Sequence, residues 1–219
     1  MKIKNLDKIY VLNHVDFHKR REVIENSLKK EGIDYELVQT YHPNDIDYEK
    51  ELLNWEIFEP VDIVQPHGIY QNFSKKISMG SLSLVLKHKW CYIDQIKNNY
   101  KTVLILEDDA LIPDNFNEFL GKNVDEFIEM NKNESIGMLM VGTSHNFNVH
   151  NTTDGKYVYY NENQKTRCTH AYILDIDTTK KILPRFNIIN LPIDFKLNEI
   201  IQVEGIKVAW TQPGLIQNG

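Results

Sequence analysis

Residues 102–106 read TVLIL, and three acidic residues, Glu107, Asp108 and Asp109, follow at once. An apolar run of strand length with no polar alternation has no solvent-facing side. It predicts a strand buried on both faces, at the centre of a sheet covered by helices. A carboxylate is costly to bury, so the acidic trio marks where this strand leaves the core. In open α/β sheets, ligands bind beyond the carboxyl ends of the strands. The trio is therefore either a solvated acidic turn, with Pro113 and Asp114 capping the next helix, or a site that something positive comes to meet.

The rest of the chain supplies the other elements of such a sheet. KIYVLN (8–13) predicts a first strand, FHKRREVIENSLKKEG (17–32) a helix with Val23, Ile24 and Leu28 as its apolar stripe, and DYELVQTY (34–41) a second strand. Residues 80–100 carry Leu82, Val85, Leu86, Trp90, Ile93 and Ile96 at helical spacing with polar residues opposite, which predicts an amphipathic helix. The stretch from Pro113 predicts a helix interrupted near Gly121. SIGMLMVG (135–142), KYVYYN (156–161), HAYILD (170–175) and IKVAW (206–210) predict strands, and TTKKILPRF and IDFKLNEIIQ predict short helices. Residues 42–78 lack a clean period. They predict a short helix near 47–57 inside a long excursion of the kind that forms lids or binding segments. Alternation of this kind is the α/β class, with a mixed, mostly parallel sheet flanked by helices.

A chain of 219 residues suits one domain. The net charge of −6 argues against a nucleic-acid partner, which requires a basic footprint. Cys91 and Cys168 make no disulfide framework. The N-terminus has no apolar run of signal-peptide length, and no stretch approaches a membrane span, so the expected location is the cytoplasm or the periphery of a membrane.

Carboxylates on a short loop suit a hard divalent cation, which usually shares its shell with substrate phosphates. Lys19, Arg20 and Arg21 open the first helix just past the first strand, where an anion is favoured. A carboxylate loop and a basic loop at neighbouring strand ends suit a nucleoside diphosphate. No phosphate-binding glycine loop of the Walker or dinucleotide type is present.

The order IYVLN…RRE, a Gly-Ser helix start carrying Lys87-His88, then LILEDDALIPDNF, HAYILD, LPIDF and PGLIQ resembles glycosyltransferase family 25, from about residue 8 to 217. The resemblance implies a single GT-A-like domain over 1–219, with a donor half to about 112 and an acceptor half from about 113. It implies metal-dependent, inverting transfer of galactose or glucose from a UDP-sugar to a glycan or a hydroxylated protein, with Mn²⁺ or Mg²⁺. By position, Asn13, Arg20, Arg21, Lys87, Glu107, Asp108 and Gln217 fall on the donor nucleotide. Asp109, with Glu107, falls on the metal, and His170, Tyr172 and Gly142 on the sugar and acceptor side. Asp194 becomes the candidate base, its alternative role being an N-cap for the following helix. Two departures stand out: Lys87 replaces the family's usual Ser before the helix His, and no His follows His170. A non-catalytic nucleotide-sugar-binding domain and a metal-dependent nucleotidyl- or phosphotransferase are the alternative readings.

Overall fold

A computed structural model describes residues 3–47, 50, 77–142, 158–160 and 168–217. The elements are β1 (Lys8–Leu12), α1 (His18–Lys30), β2 (Glu36–Val38), a 3-10 turn (Pro43–Asp45), α2 (Met79–Lys97), β3 (Thr102–Glu107), β4 (Ala110–Leu111) and α3 (Phe116–Glu134). Then come β5 (Ile136–Gly142), β6 (Val158–Tyr160), β7 (Ala171–Asp175), α4 (Ile176–Ile182), a second 3-10 turn (Leu183–Asn187), α5 (Ile193–Glu204) and β8 (Lys207–Gln217). The predicted helix near 47–57 and most of the 42–78 excursion lie outside the described residues.

The strands form one sheet in the order β2-β1-β3-β7-β5-β8-β4, with β6 also on β8. β1 is parallel to β2 and β3, and β7 is antiparallel to both β3 and β5. Two reversals restore the direction, so β2, β1, β3, β5 and β8 all point one way. The mixed, mostly parallel sheet predicted from the apolar runs is the one observed.

Strand alternation divides the core in two. Val103 and Ile105 of β3, with Tyr172 and Leu174 of β7, face the side covered by α2, α4 and α5. Leu104 and Leu106, with Ala171 and Ile173, face α1 and α3. Each fully buried side chain of this size is worth about 1.5–3 kcal/mol relative to exposure.

Several local expectations are corrected. The stripe of α1 is narrower than predicted: Ile24 and Leu28 are buried, whereas Val23 faces water. α3 runs through Gly121 without a break, because that position lies on an open face where a Cβ would meet nothing within 4 Å. Its start is not capped by Asp114. The Glu31 carboxylate accepts the N–H groups of Asn115 and Asn117 at 3.1 and 3.3 Å. β8 extends well past residue 210, because β5 continues to pair with it up to Gly142 opposite Leu215, and β4 adds Ala110 opposite Gln217.

The largest correction concerns α2. Ile93 is exposed, while Lys87, His88 and Gln95, assigned by the sequence pattern to the polar side, are buried. They are tolerated because the elements opposite are not wholly apolar. Gln95 Oε1 accepts the Thr179 hydroxyl at 2.6 Å, and His88 Nδ1 meets the Tyr172 hydroxyl at 2.6 Å. Buried polar groups matched this way avoid the desolvation cost.

Candidate functional site

The carboxyl ends of β1, β2 and β3, the start of β7 and the start of α5 supply the residues singled out in the sequence. Alternation along β3 puts Glu107 on the same face as Val103 and Ile105, turned toward α2. Its Oε1 accepts the Thr169 hydroxyl at 2.6 Å and lies 3.3 Å from His88 Nε2, and its N–H donates to His170 O at 2.8 Å. Burial would raise this carboxyl, but the His88 and Thr169 hydrogen bonds and the His88 charge outweigh it and hold the group below the usual range. An ionised Glu107 only accepts, so His88 Nε2 carries a proton, while Nδ1 meets the Tyr172 hydroxyl, accepting from it in the neutral ring and donating to it in the charged one. Tyr172 in turn takes the Tyr92 hydroxyl at 2.6 Å. A buried chain of hydrogen bonds thus runs Tyr92–Tyr172–His88–Glu107.

Asp108 turns the other way. Its Oδ2 accepts Asn13 Nδ2 at 2.7 Å and the His14 N–H at 3.4 Å, while Gln39 donates to Asn13 Oδ1 at 2.7 Å. Arg20 Nη1 lies 3.6 Å from Asp108 Oδ1 and 3.7 Å from Asp109 Oδ2. Burial raises Asp108 despite the Asn13 hydrogen bond and the Arg20 charge.

The structure therefore brings together Asn13, Arg20, Asp108 and Asp109. Arg21 does not join them; its Nε lies 3.4 Å from Glu25 along α1. Lys87 is buried, and its hydrogen bonds lead to the segment after β2. Its Nζ donates to Ser83 Oγ at 2.7 Å, and Ser83 donates to Tyr41 O at 2.6 Å. Burial lowers the Lys87 ammonium to about 8, with the Asp108 charge opposing.

Asp194 sits in the first turn of α5, after an N-cap at Pro192, and accepts the Phe195 N–H at 2.9 Å. It is not the helix cap. Burial raises its carboxyl, and the Glu107 charge adds to the rise. His170 and Tyr172 are fully buried. His170 Nε2 meets Leu215 O at 3.1 Å, and Gly142 leaves room for that ring, since a Cβ there would lie 2.1 Å from His170 Nε2. Gln217 enters through its backbone, paired with Ala110. Sequence reasoning did not single out Thr169, Ser83 or Gln39. Their roles are hydrogen bonds across the sheet that no local pattern announces. His88 left one trace, its spacing of three from Val85 and four to Tyr92.

The acidic trio fits a pre-formed divalent site poorly. Glu107 is directed at α2 with Oε1 already shared, and Arg20 stands beside both Asp108 and Asp109. The trio whose ligand atoms do converge among the described residues, all within 4.8 Å, is His14, Asp16 and His42. Imidazoles with one carboxylate suit zinc-like ions better than Mn²⁺ or Mg²⁺. However, His42 Nδ1 accepts the Asn44 N–H at 3.2 Å, which leaves the ring proton on Nε2, facing Asp16 at 3.6 Å. A metal would have to displace that proton.

Over residues 6–197 the chain matches the model of a family described as glycosyltransferase family 25 (LPS biosynthesis protein). No curated protein matches it. Among solved structures it is similar to a glycosyltransferase involved in the glycosylation of the major capsid of PBCV-1. That match is 13% identical, covers 83% of this chain and 68% of that one, and has a TM-score of 0.36. It is also similar to a Bacillus anthracis chain assigned as a glucose-1-phosphate thymidylyltransferase, solved with sucrose. That match is 12% identical, covers 96% and 89% of the two chains, and has a TM-score of 0.43. Likeness at this level says nothing of chemistry.

Proposed function

This chain belongs to glycosyltransferase family 25, and from that premise we propose that it moves a hexose, galactose or glucose, from a UDP-sugar to the hydroxyl of a glycan or hydroxylated protein, with inversion, within one GT-A-like domain. The observation that carries this reading is the meeting of Arg20 with Asp108 and Asp109 at the ends of β1 and β3. A guanidinium at strand ends beside a helix N-terminus suits a diphosphate. A half-buried carboxyl raised above its ordinary value suits a base that takes a proton from a hydroxyl.

In the transfer, the acceptor oxygen forms a bond to the anomeric carbon while the bond from that carbon to the diphosphate breaks. The bonding pair leaves with the diphosphate, and the acceptor proton passes to Asp194. Arg20 is positioned to meet the departing charge, and Asn13 and Gln39 hold Asp108 in place. His88 and Thr169 hold Glu107 ionised and oriented. The family resemblance expects Mn²⁺ or Mg²⁺ on Asp109 and Glu107, and that expectation meets the poor ligand geometry described above.

The test is incubation with UDP-galactose and UDP-glucose, following UDP release and separating the sugar products. Hydrolysis or transfer from one of them, absent in Asp194→Asn, is the expected result. Intact donors together with UDP binding would leave a binding domain in place of an enzyme. Turnover of nucleoside triphosphates instead would point to nucleotidyl transfer.

A further inference from the structure

Among the described residues two lysines are almost completely buried, and they are treated differently. Lys196, 2% exposed, has Glu199 at 3.2 Å and Asn190 Oδ1 at 3.3 Å. Lys87, 3% exposed, has the Ser83 hydroxyl as its hydrogen-bond partner, and no carboxylate among the described residues forms an ion pair with it. An ammonium has three protons to place, and burying one without a counter-charge is costly. Burial lowers the ammonium to about 8, which is the same penalty acting on its proton. A buried cation of this kind is accounted for when a ligand brings the anion.

The anionic side chains nearby already have partners, except that Asp109 Oδ1 is buried without a hydrogen bond. Asp108 is held by Asn13 and Arg20, Asp109 has Arg20 beside it, and Glu107 is held by Thr169 and His88. A divalent cation that took more than Asp109 Oδ1 would have to displace Arg20 and turn Glu107 away from α2.

We propose that Lys87 and Arg20 supply from within the protein the positive charge that the donor diphosphate needs, so that the sugar is transferred without a divalent cation. This rests on the nucleotide-sugar reading. When the anomeric carbon–oxygen bond breaks and its electron pair stays on the diphosphate, the Lys87 ammonium and the Arg20 guanidinium donate hydrogen bonds to the oxygens that gain charge.

The experiment is calorimetric titration of UDP, GDP and ADP into the wild type, Lys87→Met and Arg20→Gln, each in EDTA and in Mn²⁺, with the melting temperature of each ligand-free protein. Lys87→Met keeps the apolar stem and removes the charge. UDP is expected to bind in EDTA with an affinity within a few-fold of that in Mn²⁺. Lys87→Met is expected to weaken binding in EDTA by about tenfold or more, with an unchanged or higher melting temperature because a penalised charge is gone. Arg20 is half-exposed on α1, so Arg20→Gln folds and is expected to weaken binding in the same direction. It decides the matter if Lys87→Met does not fold. UDP binding that requires Mn²⁺ overturns the proposal and leaves the nucleotide-sugar reading standing. So does wild-type binding by both variants in EDTA, or a lower melting temperature for Lys87→Met with binding retained. Failure of every nucleotide to bind in either buffer overturns the nucleotide-sugar reading itself.

Discussion

At Asp194, burial and the neighbouring Glu107 charge both favour the protonated carboxyl. A folded-state value above the unfolded one means that the ionised form is penalised, and the penalty grows as pH rises through the ordinary carboxylate range near 3.8. Asp194→Asn removes that charge at nearly constant shape. We expect transfer to fall by about 10²–10⁴-fold, while the melting temperature at pH 7 stays level or rises, a gap that closes toward pH 3. Near-normal transfer by the folded variant would remove Asp194 as the base. Gly142 offers a test of packing. A Cβ there would sit 2.1 Å from His170 Nε2 and 2.4 Å from its Cδ2. The ring cannot yield easily while it is bonded to Leu215 O. Gly142→Ala is expected to cost about 1–3 kcal/mol in urea unfolding; a variant as stable as wild type would mean that the ring has another place to go.

α2 shows where pattern reading stops. Its apolar stripe is legible at Leu82, Val85 and Leu86, and the helix lies where the periodicity puts it. Which of its polar residues go inside depends on Tyr172, Thr179 and Glu107, distant in sequence and brought opposite by the β3–β7 pairing. His88→Ala would take one of two partners from the Tyr172 hydroxyl and from Glu107, which keep Tyr92 and Thr169, at an expected cost of about 2–4 kcal/mol at pH 7. The loss should shrink in acid. Glu107 is held below its ordinary value of 4.5, so its contribution is present above that value and disappears as pH falls through the folded one. Urea unfolding of both proteins at pH 7 and pH 3.5 measures this, and an undiminished difference at pH 3.5 would show that the Glu107 contact is not its source.

For the whole molecule, donor binding and stability are linked. A ligand that binds only the folded chain, at 100 times its dissociation constant, adds about 2.7 kcal/mol. UDP should therefore raise the melting temperature, and Arg20→Gln should reduce the shift; no shift with any nucleotide would count against the site. No described helix is long and apolar enough to cross a membrane. The sheet, its central strand and its direction were readable in advance, because long apolar runs can be buried in few ways and TVLIL has no polar side to expose. The acidic end of β3 and the basic start of α1 were readable because charges gather where strands leave the core. Which carboxylate faces which partner was not. Glu107 and Asp108 are adjacent in sequence and chemically similar, yet strand alternation sends one to His88 and Thr169 and the other to Asn13 and Arg20. Lys87 reads as a solvated lysine or as a phosphate ligand until the fold buries it against Ser83. Sequence determines that a residue is charged, but the cost of that charge depends on the water and partners around it, and only the tertiary structure decides those.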